Sequence, residues 1–151
     1  MSDTRFKFIR PIVVAFRDVD CMRHVNHAQY LTYCETVRNE YRMVMTGIKQ
    51  VEDFDFVLAE LTARYHAPAH LGDKLTVGCR VTELRRSSFL IEHEIRNSEN
   101  GTLIAEIHSA QVMFDTTSGK SVPMTDERRL QIEAYEGRSL TVLTSKSRTL
   151  S

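Results

Sequence analysis

The chain is poor in cysteine, has no net charge and carries no long apolar run. Its 151 residues include three cysteines, Cys21, Cys34 and Cys79. That number is odd and the spacing wide, which excludes a disulfide framework and the close cysteine pairs of a zinc site. Free thiols in a reducing compartment are expected instead. Lys plus Arg number 20 and Asp plus Glu number 20, so the formal charge is zero. Without a global field there is nothing to recruit nucleic acid or an anionic membrane, and any phosphate recognition must be local. No apolar run approaches the roughly 18 residues of a membrane-spanning helix. The start, Met1-Ser2-Asp3-Thr4-Arg5, turns polar where a secretory signal would carry an apolar core. A cytoplasmic protein with no nucleic-acid or membrane partner is expected.

Several motifs are also missing. There is no Gly-rich phosphate loop, no Gly-Lys-Ser/Thr run, no dinucleotide fingerprint and no serine elbow. Hydrophobic residues make up 42% and charged residues 26%, an ordinary globular balance. The length fits one domain with its own core. The domain is expected over residues 1–136, with a flexible tail over 137–151, where Ser, Thr and Lys follow one another without periodicity.

The hydrophobic pattern changes period along the chain. Residues 6–16 are β-rich, and Pro11 suits an edge strand or a bulge. From Tyr30 the apolar residues Leu31, Cys34, Val37, Tyr41, Val44 and Met45 recur at three- and four-residue steps, which predicts one long, largely buried helix. Asn26 is its N-cap, Gln29 completes a capping box, and Gly47 closes it in a left-handed conformation. Period two then takes over in strands over 54–67, Leu75–Val81, Phe89–Ile95 and Leu103–Phe114, the last apolar on both faces as a central strand should be. A short helix over Asp126–Tyr135 follows. One long helix before consecutive antiparallel strands predicts an α+β domain in which a curved sheet of about five strands wraps the helix.

The densest chemistry lies at the first strand-to-helix junction, Asp18-Val19-Asp20-Cys21-Met22-Arg23-His24-Val25-Asn26-His27-Ala28-Gln29-Tyr30. A helix start offers unsatisfied N–H groups and the positive end of a dipole, and here carboxylates and imidazoles precede it. An Asp-x-Asp pair alone most often makes local turn bonds, and Asp18 is expected to do only that. Aspartate and histidine are acceptable zinc ligands, but the spacing matches none of the stronger metal patterns, and no metal is expected. His66, His70, His93 and His108 read as ordinary strand or loop residues.

The run RDVDCMRHVNHAQYLTYCETVRNEY resembles the signature of hotdog-fold acyl-CoA thioesterases of the 4-hydroxybenzoyl-CoA thioesterase type, and RYHAPAHLGDKLTV resembles that family's second-strand motif. The resemblance covers roughly residues 8–115 and implies a hotdog fold. Many relatives carry Gly-Gly or Ala-Gly where this chain has Cys21-Met22-Arg23. By position, the resemblance implies that Asp20 is nucleophile or general base. The helix-start N–H at His27 would polarise the thioester carbonyl, and His24 is a second candidate catalytic side chain.

Asn26, Tyr30, Glu60 and Thr62 are candidate substrate contacts, the last two near the acyl pocket or across a dimer interface. Arg85-Arg86-Ser87-Ser88 forms a basic turn suited to the phosphates of coenzyme A. The implied reaction hydrolyses an acyl-CoA thioester to free acid and coenzyme A without a cofactor, in a homodimer or homotetramer. The alternative is a non-catalytic protein of the same fold that binds acyl-CoA or acyl-carrier protein. A hotdog dehydratase would want a histidine on the helix proper, which has none beyond Tyr30. An aspartate-nucleophile phosphatase would want the alternating helices of a parallel sheet.

Overall fold

The computed structural model describes residues 5–142. Among the described residues six strands and two α-helices are formed: β1 (Phe8–Val13), α1 (His27–Thr46), β2 (Phe56–Tyr65), β3 (Lys74–Leu84), β4 (Ser88–Asn97), β5 (Leu103–Asp115), β6 (Lys120–Ser121) and α2 (Asp126–Glu136). The order in the sheet is β1-β3-β4-β5-β2, with β6 on β5. The apolar-faced strand β5 is therefore internal and the Pro11 strand lies at an edge, as their sequences predict. By internal contacts the chain forms two compact units. The described residues of the first are 5–41, 63–80 and 92–107, and those of the second are 42–62, 81–91 and 108–142.

In the first unit, β1 and β3 pair antiparallel from Phe8 opposite Cys79 to Val13 opposite Lys74. The period-two residues Leu75, Val77 and Cys79 are all fully buried. Gly78 lies under Phe6, and a Cβ there would stand 2.7 Å from the ring, so this crossing needs glycine. On α1, Tyr30, Cys34, Val37 and Tyr41 are buried as their spacing predicts, Tyr33 joins them from outside that pattern, and Leu31 and Met45 are half-buried while Val44 is exposed. The helix begins after Asn26, whose Oδ1 accepts from the N–H of Ala28 at 2.9 Å. No capping box closes it: the N–H of Asn26 donates instead to the carbonyl of Asp18 at 2.9 Å, which leaves nothing for the Gln29 side chain to accept.

In the second unit, α1 ends at Gly47, whose φ of 76° and N–H bond to the Met43 carbonyl make the expected left-handed closure. Arg42 is 1% exposed, yet it bonds Asp55 at 3.0 Å and lies 4.1 Å from the centre of the Phe54 ring. Thr125 caps α2, accepting from the N–H of Arg128. Of the expected tail, residues 138–142 are anchored. Leu140 and Val142 exchange backbone bonds with Leu84, and Glu133 accepts from the N–H groups of Leu140 and Thr141. These bonds follow from Gly137, which turns the chain back as a left-handed C-cap. Residues 143–151 lie outside the described residues.

Candidate active site

Asp18 and Asp20 sit two residues apart in opposite settings. Asp18 is 5% exposed at the end of a single 3-10 turn. Its Oδ2 accepts from the Tyr33 hydroxyl at 2.7 Å and from the N–H of Ala15 at 2.9 Å. Burial pushes the Tyr33 hydroxyl well above the usual phenol range, and its bond to Asp18 pushes it the same way, so this pair holds its proton on Tyr33. Asp18 ties the loop to the helix, the structural role expected of it.

Asp20 is exposed. Its N–H donates to the His24 carbonyl at 3.0 Å, its carbonyl accepts from Arg23 at 2.9 Å, and its Oδ1 accepts from the N–H of Met22 at 2.9 Å. Its second carboxylate oxygen makes no hydrogen bond among the described residues. The tight turn puts Arg23 at φ 64°, where a side chain is strained and a glycine is not.

The turn delivers His24 and His27 to the start of α1. His24 is half-buried, bridges His70 across an isolated antiparallel pair, and packs edge-on against its ring at 5.1 Å between centroids. His27 is the first helical residue, and its N–H meets no acceptor among the described residues, whereas those of Ala28 and Gln29 are taken by Asn26. The N–H of His27 is thus an open donor at the head of the helix. The His27 carbonyl accepts from the Tyr65 hydroxyl at 2.9 Å.

A cleft of about 360 Å³ opens here, lined by His24, Val25, His27, Tyr30, Tyr65, His66, Ala67 and Pro68. Tyr30 is 3% exposed and its oxygen accepts from the N–H of Ala69 at 3.1 Å. Burial raises its pKa; the Ala69 bond works against that rise. His24, His27 and Tyr30 were singled out from the sequence. Tyr65, His66 and Pro68 were not, although they stand in the second quoted motif. The alternation assigns faces along a strand and is blind to where the strand's end arrives.

The other candidates fall elsewhere. Glu60, Thr62 and Arg85 line a different cavity, of about 210 Å³, with His108 and Ser109. The Arg85 guanidinium is already paired with Glu83, and Arg86 is exposed. Ser87 and Ser88 do not belong to a solvated turn: they are 8% and 0% exposed, because Ser88 already opens β4 and the Ser87 carbonyl accepts from the N–H of Met113. Among the described residues no three His, Cys, Asp or Glu side chains converge as metal ligands would. No helix of the described residues is long and apolar enough to cross a membrane.

Residues 14–132 match the model of the thioesterase-like superfamily. The chain is 31% identical over 118 residues to the acyl-CoA thioester hydrolase YbgC of Escherichia coli O6:H1, covering 76% of this chain and 86% of that one. It is 32% identical over 90 residues to the acyl-CoA thioesterase YbgC of Helicobacter pylori, covering 60% and 68%. Among solved structures, a thioesterase from Thermus thermophilus complexed with coenzyme A and zinc superposes with a TM-score of 0.79 at 34% identity, over 88% of this chain and 97% of that one. The matched span contains the Asp20 turn, the start of α1 and the cleft, and the chain therefore belongs to the thioesterase-like superfamily, as a thioesterase of the hotdog fold.

Proposed function

We propose that the protein hydrolyses an acyl-CoA thioester to the free acid and coenzyme A. The observation that carries this reading is the unengaged N–H of His27 at the head of a 20-residue helix, on a cleft that His24 also lines, with the exposed Asp20 joined to His24 by a backbone bond. The relatives' names, acyl-CoA thioester hydrolase and acyl-CoA thioesterase, support the substrate class. So does the neighbour solved with coenzyme A.

The thioester carbonyl oxygen accepts from the His27 N–H, where the positive end of the helix dipole favours the charge that develops on it. The Asp20 carboxylate, with one oxygen free, takes a proton from the attacking water, or attacks the carbonyl carbon itself to form an acyl-aspartyl anhydride that water then hydrolyses; by either route the C–S bond breaks to release the coenzyme A thiolate. His24, held to Asp20 through the 3.0 Å backbone bond, orients the water or returns a proton to the thiolate. Of the basic run before β4, Arg85 is neutralised by Glu83, the two serines are buried and not available, and Arg86 alone is exposed.

A homo-oligomer belongs to the same reading. Strand β2 is the last in the sheet order and exposes Val57 by 44% and Leu58 by 46% on an edge that natural proteins seldom leave open. Glu60 and Thr62 share that strand and would meet the partner there. A hydrolysis screen over aromatic, short-chain and long-chain acyl-CoA substrates, with Asp20→Asn as control, tests the proposal. Turnover by the intact protein that is lost in the variant supports it. Binding without turnover of any acyl-CoA would make the protein a carrier of the same fold and sink the catalytic reading.

A further inference from the structure

His24 lines the cleft, yet neither nitrogen of its ring makes a hydrogen bond among the described residues. A half-buried imidazole with no polar tether has several rotamers open to it, and a group that handles a proton must be held near one. What meets this ring is His70, edge-on, with the planes 85° apart and the centroids 5.1 Å apart.

His70 is itself firmly set. Its N–H donates to Asp73 Oδ2 at 2.9 Å, its carbonyl accepts from the N–H of Asp73 at 3.0 Å, and its Nδ1 stands 3.6 Å from the same carboxylate oxygen. The turn is pinned in addition to the end of β1, through Val14 N–H to the Asp73 carbonyl at 2.9 Å and Gly72 N–H to the Val14 carbonyl at 3.0 Å. On the other side, Val25 N–H donates to the Ala69 carbonyl at 2.8 Å, which locks the two histidine-bearing segments in register. The His70 side chain is 54% exposed and does not line the cleft, so it has no direct access to the reacting atoms.

We infer that His70, anchored by Asp73, is the positioning residue for His24: its ring is the wall that fixes the imidazole at the cleft. This rests on the catalytic role proposed for His24 and adds a residue that the sequence presents as an ordinary loop histidine. The contact is made by ring packing, since an edge-to-face pair needs a second ring and not a second proton.

The test is a double-mutant cycle in the full-length protein, read as kcat and KM for the best acyl-CoA of the screen. His24→Ala lowers kcat about 10²-fold, the ordinary worth of a positioned acid or base. His70→Ala lowers kcat about tenfold with KM within about twofold, as misplacement of a catalytic group does. In the His24→Ala background, His70→Ala costs nothing further, because residues that act as one unit are not additive. His70→Phe keeps the ring and stays within about threefold of the parent. His70→Gln, which also lacks the ring, replaces the alanine variant in the cycle if thermal unfolding shows that variant to be unfolded.

Additive losses in the cycle, a phenylalanine variant as slow as the alanine one, or a fully active His24→Ala each overturn the inference. If the parent turns over substrate and Asp20→Asn does not, additive losses or a slow phenylalanine variant count against His70 alone, and a fully active His24→Ala counts against the role of His24 on which the inference rests. If the parent hydrolyses no acyl-CoA, the proposed function fails and takes this inference with it.

Discussion

His24 stands half-buried in the lining of a cleft, against a second imidazole and bonded through its carbonyl to the exposed Asp20, whereas His93 is fully buried on β4 and neither of its ring nitrogens has a hydrogen-bond partner among the described residues. Both belong to the first unit, and both are neighbours of α1. Burial drives the His93 pKa down to about 3, the Arg38 guanidinium pushes it the same way, and the Cys34 carbonyl opposes them weakly from beyond hydrogen-bond geometry. Burial also pushes the Cys34 thiol up to about 12. The interior therefore holds its histidine and its cysteine uncharged, and an uncharged group that cannot exchange protons with water does no acid–base work. The loop at the helix start, Asp18 apart, has the opposite character: Asp20 and His27 are exposed and His24 is half-buried, and hydrogen-bonding groups of all three are left unengaged among the described residues. The same side chains become chemistry or filling according to whether water and a substrate can reach them.

The sharpest way to test that division is with the two aspartates. Asp20→Asn is expected to lower kcat by about 10³-fold, in the range of a lost nucleophile or base, with the unfolding midpoint unchanged because the side chain is exposed. Asp18→Ala reverses the pattern: removing the acceptor of two buried donors costs about 3 kcal/mol of stability, by the rule for bonds to a charged group. Asp18→Asn, which keeps one accepting oxygen, recovers part of that. Chemical denaturation of the variants beside steady-state kinetics decides it. A stable Asp18→Ala enzyme, or an unstable Asp20→Asn one, would erase the contrast.

How much of this the sequence discloses depends on whether the signal is local. Leu75, Val77 and Cys79 alternate and are buried; Asn26 caps; Gly47 closes the helix. Each is decided within a few residues, and each is legible. The Gln29 capping box fails because a carbonyl eight residues back takes the donor first. Tyr65 reaches His27, and His70 reaches His24, across separations that period two does not encode. The Arg85–Ser88 run looks like a solvated turn from its composition, yet half of it, Ser87 and Ser88, is buried, and Ser88 already opens β4. Composition describes a residue's own preference, whereas burial of Ser88 is imposed by the strands beside it.

The interior histidine gives the next largest effect, and its sign is fixed by linkage. The folded protein keeps His93 neutral down to about pH 3, whereas the unfolded chain takes up the proton near 6.5. Below 6.5 the unfolded state binds the additional proton, so this residue's contribution to stability falls by about 1.4 kcal/mol per pH unit toward pH 3. In His93→Leu, which fills the site with an apolar side chain of similar bulk, the loss between pH 7 and pH 5 should be about 2 kcal/mol smaller than in the parent. Urea titrations at the two pH values measure it, and parallel losses in both proteins would mean that His93 is protonated inside the fold.

The smallest effect separates the cap of α1 from the chemistry at its mouth. Asn26→Ala frees the Ala28 N–H and should cost about 1 kcal/mol of stability, the usual worth of an N-cap. Asn26→Asp restores an acceptor at the same place and adds a negative charge beside the helix N-terminus, which stabilises the helix by about 0.5 kcal/mol through its dipole. That same charge faces the position where a thioester oxygen gains negative charge against the His27 N–H, and it should slow turnover by about threefold through electrostatic opposition. The aspartate variant is thus expected to be at least as stable as the parent and slower, a combination that a purely structural helix start cannot produce. If stability and rate rise together, the carbonyl does not sit at this end of the helix.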